Sequence, residues 1–267
     1  MALSVPSAHG QRWLVGCGQS LGSNNGSQDD NENDNDSDND IPDNTHDDGD
    51  LGTKGLMTMW TTNPTDVQGS SCEMAHPTSV AKGNAWLKPY VTTNKRYCAV
   101  DDKLRASGMS CGTCYKITYT GEPATDPGRP GSAVIQVVDS GSAKEFDCFV
   151  DVFKEITGAT TGVFPVYYKQ VDCVETGPTV VVLDGNNAWY SKVLVVGGHT
   201  GVKAISMTVD GQRYNLQRSG GATWATSLTG RKGATTFSIT YRDDTSAELL
   251  GCFGGSWPVA TSSQCTN

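Results

Sequence analysis

Asp139 and Asp147 are the two side chains of this sequence whose types and spacing best suit work on a substrate. Asp139 ends the apolar run Val137-Val-Asp139. Asp147 stands just ahead of Phe149, Val152, Phe153 and Ile156, which recur at helical spacing. Hydrolysis of a glycosidic bond takes two carboxyl groups, one acid and one base or nucleophile, several ångströms apart. Asp66, Glu73 and Glu145 lie in the same block and give no clear second partner. Each aspartate also has a plainer reading: Asp147 as a helix cap and Asp139 as a turn former. His76 and His199 are the only histidines after Leu51, which leaves no nucleophilic triad and no His-rich metal cluster. Gly197-Gly-His-Thr-Gly201 fits neither the phosphate-binding nor the dinucleotide-binding glycine pattern, so no cofactor is expected.

Aromatic residues supply a second kind of chemistry. Trp189 and Tyr190 are neighbours, so a regular strand turns one to the core and the other to solvent. If local twist exposes both, they make a flat surface on which sugar rings stack with little loss of side-chain entropy. Trp224, between Thr223 and Ala225, suits a buried anchor at least as well.

The elements that position these groups read as mainly β. Gly numbers 31 and hydrophobic residues make up 36%, which favours turn-rich strands over long helices. From about Gly52 to Cys173 the apolar pieces are short: Leu56–Trp60, Tyr115–Tyr119, Ala133–Val138 and Val163–Tyr168. Helices are expected over Asp101–Ser107 and Cys148–Ile156, the second stopped by Gly158. After a join at 175–178, strand patterning continues at Thr179–Leu183, Lys192–Val196, Ala204–Val209, Arg213–Leu216 and Phe237–Tyr241, with a hairpin turn at Asp210-Gly211. This second block, 179–267, reads as a small antiparallel sandwich with few residues suited to chemistry.

The net charge of -9 is unevenly spread. Eleven of the 29 acidic residues lie between Asp29 and Asp50; from Leu51 on, 18 acidic face 19 basic residues. A nearly neutral body without a basic stripe argues against nucleic acid as partner and fits an uncharged ligand. The lead, residues 1–51, is Asn- and Asp-rich with little to bury and is expected to be disordered. Asp34, Asp36, Asp38 and Asp40 lack the central Gly and closing Glu of a calcium loop. Asn25 and Asn35 head glycosylation sequons.

Nine cysteines argue for disulfides and an oxidising compartment, with Cys17 the odd one out. Cys111-Gly-Thr-Cys114 could be half a zinc site, but no second close pair completes it. The first 16 residues hold no charged start followed by an apolar stretch, so the expectation of export rests on the cysteines. No stretch is apolar and long enough for a membrane span.

Several motifs, in order, resemble the expansin family of plant and microbial wall-loosening proteins. They are Gly55-Leu-Met-Thr-Met-Trp60, Ser110-Cys-Gly-Thr-Cys-Tyr115, Val137-Val-Asp139 and Glu145-Phe-Asp147, where Glu145 replaces the family's His. Gly162-Val-Phe-Pro-Val-Tyr-Tyr-Lys-Gln-Val-Asp-Cys173 and Asn187-Ala-Trp-Tyr190 followed by Val193-Leu-Val-Val-Gly-Gly198 continue the series.

The resemblance implies a six-stranded double-psi β-barrel over 52–174, then an immunoglobulin-like β-sandwich. It also implies an extracellular, monomeric wall protein that binds cellulose or another wall polysaccharide. In the groove it places Asp147 and Asp139, with Thr58, Trp60 and Tyr115; on the sandwich it places Trp189 and Tyr190. The barrel is shared with inverting endoglucanases of glycoside hydrolase family 45, whose general acid Asp147 resembles. Their general base follows the opening motif closely, where this chain reads Trp60-Thr-Thr-Asn-Pro-Thr65 with no carboxylate before Asp66. Loosening without hydrolysis is therefore the reading preferred, with hydrolysis through Asp66 and plain glycan binding as alternatives. A third surface aromatic of the family falls here at Ser219 or Gly220. The resemblance also suggests structural disulfides: Cys111 with Cys148 or Cys173, Cys72 with Cys98, and Cys252 with Cys265, with Cys114 among the bridged residues.

Overall fold

The computed structural model describes residues 51–63, 69–74, 89–121, 128–175, 177–183, 185–198 and 200–266. The acidic lead with Asn25 and Asn35, and also Cys17, Asp66, His76 and His199, lie outside the described residues.

Six strands close into a barrel in the order β1-β5-β2-β4-β3-β6. They are β1 (Thr53–Thr61), β2 (Tyr97–Val100), β3 (Cys114–Tyr119), β4 (Gly131–Ser140), β5 (Phe146–Phe149) and β6 (Phe164–Val171). β1 runs parallel to β5 and β2 parallel to β4, while the other neighbours are antiparallel. Alternation sends Met57, Ile117, Ile135, Val137, Phe146 and Phe164 into the core, which is why the four longer strands show in the sequence. β2 and β5 do not show there. They are four residues each, all of β2 is buried, and neither has an alternation to detect.

Among the described residues, three short helices complete this part: α1 (Pro89–Thr93), α2 (Asp102–Arg105) and α3 (Val150–Thr157). Asp101 caps α2 by accepting from the Leu104 N–H at 2.7 Å, and a 3-10 turn over Ala106–Gly108 extends it. The helix expected from Cys148 begins at Val150, because Cys148 and Phe149 are drawn into β5. Asp147 is thus a strand residue and not a helix cap. α3 buries Val152, Phe153 and Ile156 and stops at Gly158, whose φ of 73° suits a residue without Cβ.

The second sheet contains eight strands: β7 (Thr179–Val182), β8 (Tyr190–Val196), β9 (Val202–Val209), β10 (Gln212–Gly220), β11 (Thr223–Ser227), β12 (Thr235–Tyr241), β13 (Ser246–Cys252) and β14 (Gln264–Thr266). Their order is β13-β12-β9-β10-β11-β8-β7-β14. The turn between β9 and β10 has positive φ at both Asp210 and Gly211, the conformation that matches strand twist in a two-residue hairpin. β10 carries a bulge between Arg218 and Gly220 and belongs to both layers of a sandwich. Val180, Val182, Val193 and Val195 from one layer share a core with Met207, Phe237, Ile239 and Leu249 from the other.

β7 and β8 are buried on both faces. Val181, Leu183, Leu194 and Val196 turn away from the sandwich core and join the barrel's own apolar cluster. A sheet covered on both sides reads as an unbroken apolar run, and Thr179-Val-Val-Val-Leu183 and Val193-Leu-Val-Val196 are such runs. Polar contacts tighten the same seam. The Arg218 guanidinium donates to the Gly108, Gly221 and Val202 carbonyls, and the Ala222 N–H donates to the Cys72 carbonyl at 2.9 Å. The described residues of the two blocks accordingly form one compact unit.

Four disulfides join Cys72 to Cys111, Cys98 to Cys148, Cys114 to Cys173 and Cys252 to Cys265. Only the last matches the pairing suggested by resemblance. Cys98 and Cys148 are direct partners on adjacent strands β2 and β5, so Cys72 with Cys98 and Cys111 with Cys148 or Cys173 are both displaced. Cys111 and Cys114, weighed as half a zinc site, are committed to different bridges. No helix among the described residues is long and apolar enough to cross a membrane.

Candidate functional site

Strand pairing brings four groups into one row across the barrel. Thr58 of β1 is opposite Asp147 of β5, Asp147 is opposite Ala99 of β2, and Ala99 is opposite Asp139 of β4. Cross-strand partners point to the same face, and this row alternates with the buried Met57, Phe146, Cys148, Val100 and Val138. The row therefore lies on the outer face of the barrel. The two aspartates are separated by two strand spacings, roughly 10 Å, with the small Ala99 as floor between them.

Asp147 accepts a hydrogen bond from the Thr58 hydroxyl at 3.0 Å. Burial pushes its carboxyl above the usual aspartate range, and the Thr58 hydrogen bond pulls part of the way back. One rung earlier on the same parallel pair, the Leu56 N–H donates to Glu145 Oε2 at 2.7 Å. Glu145, standing where the resemblance expects His, thus pins β1 against β5 beside the Thr58–Asp147 pair. The sequence reading gave Glu145 no role; it stands in the bend just before β5 and reaches β1 from there.

Asp139 is engaged differently. Its Oδ1 accepts from the Ser71 N–H at 2.7 Å and the Ser140 N–H at 2.8 Å. The Ser71 and Ser140 hydroxyls meet at 2.8 Å. This carboxylate holds the Ser71 loop, next to the Cys72–Cys111 bridge, against the end of β4.

Trp60 is half-buried and sits where the β1–β5 register shifts between Met59 and Thr61. Such a bulge re-aims a side chain, and the Trp60 ring meets Tyr97 edge-on at 6.3 Å. Tyr115 is not an open groove residue. It is 6% exposed, with its ring edge-on to Phe146 and Tyr168 at 5.5 and 6.0 Å. An aromatic ring on an inward position of a barrel strand gains more from burial than from solvent. Burial raises the Tyr115 hydroxyl pKa, against a hydrogen bond with Ser110 and the charge of Arg242.

On the sandwich, Trp189 is 67% exposed and Tyr190 is half-buried. Strand alternation does not govern this pair, because Trp189 lies in the turn and β8 starts at Tyr190. The turn is held by Asn187 Oδ1, which accepts from the Trp189 N–H at 2.7 Å, and by the Trp189 carbonyl, which accepts from the Leu228 N–H at 2.7 Å. Gly230 lies under the Trp189 ring, where a Cβ would come within 2.9 Å of it, while Tyr190 leans over Gly185. Beside Gly230 the Thr229 hydroxyl meets the Tyr214 hydroxyl at 2.6 Å. Tyr214, half-buried with its ring against the sandwich core, is tied by this contact to the loop that carries Gly230. Trp224 is 5% exposed beneath the Arg218 guanidinium, 4.4 Å from its ring.

No family model matches the chain. Expansin-A17 of Oryza sativa subsp. japonica is 27% identical over 160 residues, 54% of this chain and 51% of that protein. Expansin-A21 of Arabidopsis thaliana is 26% identical over 223 residues, 77% of this chain and 82% of its own length. The crystal structure of apo Clavibacter michiganensis expansin superposes with a TM-score of 0.62 at 18% identity, covering 80% of this chain and 95% of that one. A point mutant of the same bacterial protein, in complex with cellohexaose, gives 0.60 over the same shares.

The chain is expansin-like.

It spans about half the length of the rice relative. For the expansin-like chain, the six-stranded barrel with two parallel pairs, followed by a β-sandwich, is the fold expected from the motifs. The groups named for its groove fall into two sets. Thr58, Asp147 and Asp139 share a row, with Trp60 at its β1 end, while Tyr115 lies in the barrel core. Asp66, the alternative base, lies outside the described residues.

Proposed function

We propose that this chain is an extracellular wall protein that binds cellulose or a related β-glucan and loosens it without cutting it. In this reading the barrel block, 52–174, grips a single glucan chain along the Thr58–Asp147–Ala99–Asp139 row. A short linker, 175–178, leads to the sandwich, 179–267, which holds the protein on the polysaccharide through Trp189 and Tyr190. The named relatives are expansins, and the bacterial neighbour was solved with cellohexaose, which supports a glucan as ligand. Four disulfides support an oxidising compartment.

The observation that carries the non-hydrolytic reading is the state of Asp139. Inverting hydrolysis needs a second carboxylate about 6.5–9.5 Å from the acid, open to a water it can activate. Asp139 shares the row with Asp147, yet its Oδ1 is taken by two backbone N–H groups and it serves to anchor a loop. Asp147 is left to hydrogen-bond sugar hydroxyls. Each glucan–glucan hydrogen bond exchanged for a protein contact is worth about 1 kcal/mol net, so chains slip by many small exchanges.

A second reading, an endo-β-1,4-glucanase, is favoured by one observation. A carboxyl raised by burial is what a general acid requires. The two readings separate on reducing ends released from soluble β-glucan. The protein should bind the glucan and release none. Steady release that is lost in Asp147→Asn would replace the first reading with the second.

A further inference from the structure

The strand that carries Asp147 is held unequally on its two sides. Toward β2 it is stapled by the Cys98–Cys148 bridge, whose cysteines are direct cross-strand partners. Toward β1, among the described residues, no covalent bond ties it. The parallel β1–β5 pairing runs through Met57, Thr58 and Met59 and then shifts register before Thr61. Parallel ladders are slightly weaker per residue than antiparallel ones. So short a stretch does little by itself to keep Thr58 opposite Asp147.

Glu145 supplies a further restraint, and its neighbours explain how. Leu56 is opposite Pro165 in the antiparallel β1–β6 pair. Proline has no N–H, so the two residues do not exchange hydrogen bonds, and the Leu56 N–H points away from β6 toward β5. β5 begins only at Phe146, and its strand backbone does not reach the level of Leu56. The Glu145 carboxylate takes the place of the absent backbone acceptor, with Oε2 2.7 Å from the Leu56 nitrogen. An ionised acceptor makes such a bond roughly twice as strong as a neutral one does. Gly55 makes the room. A Cβ there would stand 3.1 Å from Glu145 Cγ, 3.3 Å from its Cβ and 2.9 Å from the Tyr168 ring. The close approach, and not a left-handed backbone, is what requires glycine at this position. Tyr168 feels the same carboxylate: burial first, and then the Glu145 charge, raise its hydroxyl pKa.

We infer that Glu145 is a positioning residue for the row: lodged against Gly55 and bonded to the Leu56 N–H, it fixes β1 against β5 at the height that keeps the Thr58 hydroxyl on Asp147. The clamp acts through backbone register and touches no substrate. It rests on the wall-loosening reading only for what Asp147 does with a glucan.

The test first reads the clamp on the full chain without polysaccharide, by carboxyl carbon NMR of the Asp147 titration. Glu145→Gln keeps an acceptor for the Leu56 N–H and removes the charge, so the Asp147 midpoint should stay at its wild-type position. Glu145→Ala frees β1 from β5 and withdraws the Thr58 hydroxyl, so the midpoint should move up. Adding Thr58→Val to Glu145→Ala should move it no further, because both changes remove the same contact. Gly55→Ala leaves the carboxylate in the chain but crowds it off β1. It should shift the midpoint in the same direction, and it carries the test if Glu145→Ala does not fold. Equal shifts in Glu145→Gln and Glu145→Ala, or an unmoved midpoint in both Glu145→Ala and Gly55→Ala, would overturn the inference. Creep of a cellulose-based wall strip at equal bound protein is the separate arm. Glu145→Gln should extend the strip and Glu145→Ala should lose extension; extension by Glu145→Ala equal to the wild type would also overturn the inference. The expected titration shifts without extension by the wild type would uphold the clamp and count against the wall-loosening reading instead.

Discussion

Thr58 and Asp147 face each other across the parallel strands β1 and β5, with the threonine hydroxyl 3.0 Å from the carboxylate. The contact sets two opposing effects on one group. Burial disfavours the charged carboxyl, and the hydroxyl favours it.

The net upward shift has a consequence for stability. In the folded protein Asp147 holds its proton to higher pH than the unfolded chain, where aspartate titrates near about 3.9. The folded state then binds more protons within that window, so stability falls as pH rises through it, and the cost is fully present above the folded-state pKa. Asp147→Asn keeps an acceptor for Thr58 and removes the charge. It should raise the melting temperature at neutral pH, with the gain vanishing near pH 3, as followed by thermal denaturation against pH.

Thr58→Val removes the effect that lowers the Asp147 pKa and leaves burial in place. The Asp147 titration, followed by carboxyl carbon NMR, should move further upward than in the wild type. A downward or absent movement would show that the hydroxyl does not hold the carboxylate.

Trp189 is exposed on the turn before β8 and contributes little to the fold. Trp189→Ala should change stability by no more than about 0.5 kcal/mol. It should weaken binding to insoluble cellulose about two- to tenfold, the worth of one aromatic contact. Depletion isotherms at equal protein concentration give the comparison, and Tyr190→Ala places the second ring.

The Cys98–Cys148 bridge ties β2 to β5 directly beside Asp147. Replacing both cysteines by Ala should cost about 2–5 kcal/mol in denaturant unfolding and loosen the row that sets the Asp147 environment. Non-reduced peptide mapping should recover Cys72 with Cys111 and Cys114 with Cys173 from the same protein.

Much of this architecture is legible in the residues, and the gaps have physical causes. Strands with one face in the core, such as Tyr115–Tyr119 and Phe237–Tyr241, carry alternation and are seen. β2 is buried throughout, and β13 is an edge strand in which only Leu249 and Cys252 are buried, so neither alternates. Asp147 could be named from its motif, but its register with Thr58, Ala99 and Asp139 could not. That row exists only because strands distant in sequence become neighbours in the closed barrel. The disulfides of the barrel were misread for the same reason, since Cys98 and Cys148 are 50 residues apart yet directly paired. Strand alternation would send one of Trp189 and Tyr190 inward, but Trp189 is the last residue of the turn before β8 and stands 67% exposed.

The central claim is that Asp147 loosens the polysaccharide without cleaving it. It is tested most directly by the creep of a cellulose-based wall strip under constant load, with wild type and Asp147→Asn compared at equal bound protein. The account predicts extension with the wild type and none above the buffer control with the variant. Equal extension by the two proteins would contradict it.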